Sequence, residues 1–222
     1  MQHRYRSRHE AGRVLSEILA RHGFAAPPIV VALPRGGVPV ACEVAQRLGA
    51  PLDFIVVRKI GAPGQGELAC GALVLGGDVV WNTGILRALR LTTDDLKEAI
   101  ERETAEARSR EALLRSAESP ALEVAGASVI IVDDGLATGA TMKAAVRGIQ
   151  ARKPKEVIVA VPVGPASACR EIEKMGCALV CDQRIDEGSF SSVGQWYDEF
   201  PQVSTTECRQ LLIASRRAHD EK

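Results

Sequence analysis

Val129-Ile130-Ile131-Val132-Asp133-Asp134-Gly135-Leu136-Ala137-Thr138-Gly139-Ala140-Thr141 decides the fold of this chain. Four β-branched residues run directly into two carboxylates. A loop of small and hydroxyl residues follows, and a helical segment opens at Met142. A run that is apolar throughout predicts a strand buried on both faces, the habit of parallel sheets. Ligands of such sheets bind beyond the carboxyl ends of the strands. The loop offers backbone N–H groups at a helix N-terminus, which suits an anion. A phosphate on those amides, with two carboxylates beside it for a diol or a metal, describes a sugar phosphate. An ordinary buried strand with a glycine turn would explain the apolar run. It would not explain the carboxylates, which are costly to bury without partners. A Walker-type loop is excluded, because no Gly-Lys-Ser/Thr stands here.

The stretch resembles the 5-phosphoribosyl-1-pyrophosphate (PRPP) signature of type I phosphoribosyltransferases: apolar run, acidic pair, short spacer, then Thr-Gly-x-Thr. The resemblance implies an α/β fold with a central, mainly parallel sheet flanked by helices, a β-hairpin or flexible loop, and a small hood. It implies that Asp133 and Asp134 hold the ribose hydroxyls and reach Mg2+ through water. It implies that Ala137, Thr138, Gly139, Ala140 and Thr141 hold the 5-phosphate. In members that salvage 6-oxopurines an Asp stands immediately before Thr-Gly; here that place is Ala137. The local text is closer to adenine salvage members, but no adenine-type hood is evident, so the acceptor stays unassigned.

Composition sets bounds on the rest. The 222 residues suit one α/β domain with additions. Lys plus Arg and Asp plus Glu are balanced at 28 each, so no global field attracts nucleic acid or an anionic membrane. No apolar run is long enough to span a bilayer. The Arg- and His-rich start lacks the apolar stretch of a secretory signal. The six cysteines are scattered, with no Cys-x-x-Cys pair, which fits reduced thiols in a cytoplasmic protein.

Outward from the signature, periodicity predicts a helix over 10–22, a buried strand over 29–33, a helix over 38–48 and a strand over 54–57. Residues 58–67 carry two cations, three glycines and a proline and are expected as a mobile loop. Residues 68–75 and 79–82 read as a β-hairpin around Gly76-Gly77-Asp78. Thr92-Thr93-Asp94-Asp95 resembles a capping box with Asp in place of Glu, opening a charged helical insertion over about 92–116. Its sparse apolar positions predict a largely solvated or partner-facing helix. Beyond the signature come a helix to about residue 152, a strand over 157–161, a helix over 164–174 and a short strand over 178–181. Residues 182–201 are expected to be irregular and hood-like. A last helix is opened by the capping box Ser204-Thr205-Thr206-Glu207. No repeat or linker divides the chain, so residues 1–222 read as one domain.

Two further constellations bear on chemistry. Pro34-Arg35-Gly36-Gly37 sits at the carboxyl end of the first strand, where two glycines allow a backbone to approach an anion and an Arg adds charge. The resemblance makes Arg35, Gly36 and Gly37 the pyrophosphate loop. Arg58-Lys59 resembles the start of the family's flexible catalytic loop, whose cations would close over developing pyrophosphate charge. Phe190 and Trp196 belong to an aromatic-rich segment that reads either as local packing or as a wall stacked on a planar acceptor. The arrangement resembles a bacterial group of predicted phosphoribosyltransferases over most of the chain. The expected activity is transfer of the 5-phosphoribosyl group of PRPP to a nitrogen acceptor of the nucleobase kind, with release of pyrophosphate. The alternative is a non-catalytic PRPP or nucleotide sensor on the same fold. A homodimer is left open.

Overall fold

β6 (Ser128–Val132), the signature strand, is buried along its whole length in the computed structural model. The structure describes residues 3–75, 77, 79–115 and 120–221. β6 is the middle of a five-stranded sheet ordered β2-β1-β6-β7-β8, with every pair parallel. Its neighbours are β1 (Pro28–Ala32), β2 (Leu52–Phe54), β7 (Glu156–Pro165) and β8 (Ala178–Ile185). Side chains alternate across a strand, and each face of β6 meets its own helix layer. Ile130 and Val132 join Leu15, Leu19, Val40, Val44 and Leu212 from α1 (Arg8–Leu19), α2 (Gly37–Leu48) and α7 (Thr205–Asp220). Val129 and Ile131 join Met142, Val146, Ile149 and Ile172 from α5 (Ala140–Gln150) and α6 (Ala166–Glu173). Burying each such side chain is worth roughly 1.5–3 kcal/mol, so β6 anchors both halves of the core.

The expected α/β architecture is the one observed. The connection through α2 carries the chain from β1 outward to β2, and the one through α5 carries it from β6 the other way to β7. The strand order therefore reverses between β1 and β6, and the loops after these two strands flank one crevice, the switch point at which such sheets bind ligands.

A second sheet, antiparallel and ordered β3-β4-β5, holds β3 (Val57–Ala62), β4 (Gln65–Val74) and β5 (Val79–Trp81). It corrects two expectations. The strand read over 54–57 divides: β2 ends at Phe54, with the Ile55 N–H still on the Ala32 carbonyl (3.1 Å), and Val57 opens the other sheet. The stretch 58–67, expected as a mobile loop, is hairpin, with β3 ending at Ala62 and β4 beginning at Gln65. Gly61 lies at register shifts of the ladder, and Gly64 turns the chain between the strands with φ +71°. β4 and β5 form the expected hairpin, although Gly76 and Asp78 of its turn lie outside the described residues.

α3 (Thr83–Leu89), capped by the Asn82 side chain, was not anticipated in the sequence. The Thr92–Asp95 cap is present: the Thr92 N–H and hydroxyl both donate to Asp95 Oδ2 at 2.7 Å. A single 3-10 turn leads into α4 (Lys97–Leu114). α4 buries Ala107, Leu114 and Glu103, so it packs on the molecule more than its charge suggested. Residue 116, the expected end of this insertion, lies outside the described residues. β7 and β8 each run four residues further than expected, pairing Val163, Gly164 and Pro165 with Gln183, Arg184 and Ile185. Asp182, Gln183 and Arg184 hid this extension, since polar residues on an edge strand look like loop. Among the described residues no helix is long and apolar enough to cross a membrane.

Candidate active site

The turn after β1 is packed onto the end of β6. Leu33 donates to the Val132 carbonyl (2.9 Å), and Gly37 closes the turn on the Leu33 carbonyl (3.1 Å). The Pro34–Arg35 peptide is cis. A Cβ on Gly37 would lie 2.6 Å from the Val132 carbonyl oxygen, and one on Gly36 would lie 2.1 Å from Asp134 Oδ2. Glycine is required here because the acidic pair is pressed against the turn. Arg35 is half-buried, and among the described residues none hydrogen-bonds its guanidinium. The structure thus brings Arg35, Gly36 and Gly37 to the same edge as Asp133 and Asp134.

The two carboxyls are differently held. Asp133 Oδ1 accepts the N–H of Asp134 (2.9 Å). Asp134 Oδ2 accepts Nε of Arg8 at 2.8 Å, with the two side chains 14% and 9% exposed. Burial pushes both carboxyls above their ordinary range, Asp133 well above it. The negative charge of Asp134 adds to the shift at Asp133, and Arg8 opposes the shift at both.

The loop that follows begins at Leu136, whose N–H is pinned on the Val163 carbonyl (2.8 Å). Gly139 caps α5 with φ +70°, a left-handed conformation that a side chain would strain. Ala137, Thr138, Ala140 and Thr141 are exposed, and the Ala140 N–H donates to Thr138 Oγ1 at 3.4 Å. An anion placed there would also meet the positive end of the α5 dipole.

Arg58 and Lys59 do not act together. They are consecutive on β3, and consecutive strand residues point to opposite faces. Arg58 reaches α4 and forms an ion pair with Glu103 Oε2 through Nε (2.9 Å) and NH2 (2.8 Å). Lys59 faces the other way and lines a groove of about 320 Å3 with Trp81, Asn82, Thr141, Lys143 and Arg147. The two cations expected over one pyrophosphate thus lie on opposite faces of β3: Lys59 borders the 137–141 loop, and Arg58 pairs with Glu103 on α4. A second groove, of about 350 Å3, runs along α1, α2 and α7 past His9, Cys42 and His219, and the acidic pair lines neither.

Of the two readings of the aromatic segment, Trp196 follows the local-packing one. Trp196 is 8% exposed and clusters with Tyr5, Val163, Ile185 and Tyr197, so it offers no open ring face to an acceptor. Phe190 is half-buried at the edge of this cluster. The segment does roof the carboxyl edge: a Cβ on Gly135 would lie 2.6 Å from the Val193 side chain. The Tyr197 hydroxyl donates to the Asp134 carbonyl at 2.6 Å. Sequence reading missed Tyr197 as a support of the acidic pair, and it missed Arg8. A signal for α1 was present in Ser7-Arg8-His9-Glu10, where the Ser7 side chain accepts the Glu10 N–H and caps the helix. That cap puts Arg8 in the first turn of α1.

The chain matches the phosphoribosyl transferase domain family over residues 5–197. A protein of Mycobacterium tuberculosis named "Putative phosphoribosyl transferase" is 39% identical over 210 residues, which is 95% of this chain and 46% of that protein. The chain thus spans about half the length of the curated relatives it matches. A solved protein from Thermus thermophilus superposes with a TM-score of 0.82 at 38% identity, covering 95% of this chain and 98% of that one. A hypothetical protein from Neisseria gonorrhoeae, solved with bound ppGpp, shares the fold at a TM-score of 0.52 and 15% identity, covering 97% of this chain and 99% of its own.

Proposed function

The chain belongs to the phosphoribosyl transferase family, and we propose that it transfers the 5-phosphoribosyl group of PRPP to a nitrogen acceptor of the nucleobase class, releasing pyrophosphate. One observation carries this reading. The acidic pair, the Gly36-Gly37 turn and the exposed loop that opens α5 meet at the switch point between β1 and β6.

In this reading the 137–141 loop binds the 5-phosphate, and Asp133 and Asp134 orient the ribose hydroxyls. The turn amides and Arg35 receive the pyrophosphate as its charge grows, with Lys59 at the flank. Most of the rate enhancement would come from position and from stabilising the leaving charge. Two carboxylates among backbone oxygens suit magnesium, which prefers oxygen ligands and keeps its waters, and it would supply further charge neutralisation to the diphosphate. Asp133 and Asp134 would hold it through water. The acceptor would enter beneath the 190–201 roof, where Phe190 is the remaining aromatic candidate. We infer a cytoplasmic protein acting as one domain over 1–222.

The test is a screen of purines, pyrimidines and small amines for pyrophosphate release from Mg-PRPP. Release with at least one planar nitrogen acceptor is expected. Binding of PRPP without release from any acceptor would favour the sensor reading, which draws support from Arg58: a cation ion-paired to α4 leaves fewer charges to close over a leaving group.

A further inference from the structure

We propose that Arg8 is a positioning residue that turns the Asp134 carboxylate toward the sugar and ties it to the 190–201 roof. Asp133 Oδ1 is taken by the Asp134 N–H. Asp134 Oδ2 is taken by Arg8 Nε and lies against the Gly36 backbone. Among the described residues no third residue donates to Asp133 Oδ2 or Asp134 Oδ1, and the two carboxyls hydrogen-bond each other through their side chains. One acceptor per carboxylate is what two neighbouring hydroxyls of a ribose need. Arg8 is, among the described residues, the one charged partner that fixes which oxygen of Asp134 faces the ligand.

The rest of Arg8 is committed to the roof. Its NH1 donates to the Pro201 carbonyl at 2.8 Å, and its guanidinium lies 3.7 Å over the Phe200 ring. Tyr197, packed beside Phe200 at 4.8 Å between ring centroids, donates to the Asp134 backbone. The side chain and the main chain of Asp134 are therefore both held by groups that touch residues 197–201. A planar fork that pairs, donates and stacks at once is arginine chemistry, which a lysine reproduces only in charge. A roof that moves to admit an acceptor would move the ribose-binding oxygen with it.

The affinity arm of the test rests on the PRPP reading; the exchange arm does not. In the free protein, R8M is expected to speed amide exchange about tenfold both in 133–141 and in 194–201, with β7 unchanged. Faster exchange in only one of the two segments would overturn the coupling. By calorimetry with Mg-PRPP, R8M and F200L should each raise the dissociation constant about tenfold, as loss of an orienting partner does elsewhere. R8K should fall between R8M and the parent, and turnover at saturating PRPP should change less than affinity. Unchanged affinity in R8M would overturn the positioning role. A parent protein that does not bind PRPP would refute the proposed function, while exchange still decides the coupling. Should R8M fail to fold, R8K and F200L carry both arms.

Discussion

The edge of the parallel sheet and the antiparallel hairpin both present charge near the same crevice, and they hold it in different ways. At the parallel edge, β1 and β6 lie side by side in register, Ala32 opposite Val132, so their following residues emerge together. The Gly36-Gly37 turn after one strand and the acidic pair after the other meet at one crevice. On the hairpin, the two-residue alternation splits Arg58 from Lys59, and one cation goes to Glu103 and the other to the groove beside Thr141. Neighbours in sequence are neighbours in function only where the backbone leaves its strand.

Asp133 against Arg58 is the widest way to test that contrast. D133N is expected to weaken Mg-PRPP binding about a hundredfold, the roughly 3 kcal/mol that loss of a charged hydrogen-bond partner can cost. R58A should leave the affinity within about threefold, since its carboxylate partner lies on α4. Equal losses in calorimetry would return Arg58 to the sugar-phosphate site and erase the difference between the regions.

The contrast sharpens within the pair itself. D134N leaves the Arg8 guanidinium buried without its counter-ion and should cost about 3 kcal/mol in urea denaturation. D133N removes a buried carboxylate that has no ion pair among the described residues, and should stabilise by about 1 kcal/mol. Shifts of the same sign would mean that the two carboxyls are held alike.

On the hairpin the expected effects are smaller. K59A should lower turnover about tenfold with less change in PRPP affinity, because its contact would strengthen as pyrophosphate charge develops. R58A should instead cost about 1 kcal/mol of stability through its half-buried ion pair with Glu103. Steady-state kinetics and denaturation on both variants decide, and a turnover loss confined to R58A would reverse the assignment.

The smallest effect is in pH. Burial raises the Asp133 carboxyl, so the folded protein holds that proton more tightly than the unfolded chain does. The contribution is fully present below the ordinary aspartate range, near about pH 4, and is lost as pH rises through the raised value. The stability of the ligand-free parent minus that of D133N should therefore fall as pH rises above the ordinary aspartate range. A flat difference would remove burial as the cause of the shift.

How far each element could be read depended on whether its environment was written locally. β6 announced itself because a strand covered on both faces is apolar at every position, and its loop followed with the glycine and hydroxyls of a helix start. The caps at Thr92 and Ser204 were legible because a cap is a bond between residues three apart. The ends of β7 and β8 were not. Gln183 belongs to the sheet through its ladder with Val163, and no local pattern records a partner twenty residues away. Trp196 looked like a stacking surface by composition, but the strand ends and Tyr5 of the N-terminal segment fill the space around it.

Local chemistry was thus enough for the parallel α/β class and for the place of the acidic pair and the 137–141 loop at the end of β6, because strand periodicity and turn composition act over a few bonds. Packing alone decided that Arg8 meets Asp134, that Arg58 meets Glu103 and that the roof closes on Gly135. Those contacts join residues 126, 45 and 58 positions apart. Their energies exist only once the sheet has brought the partners together, so no short stretch of chain carries their mark.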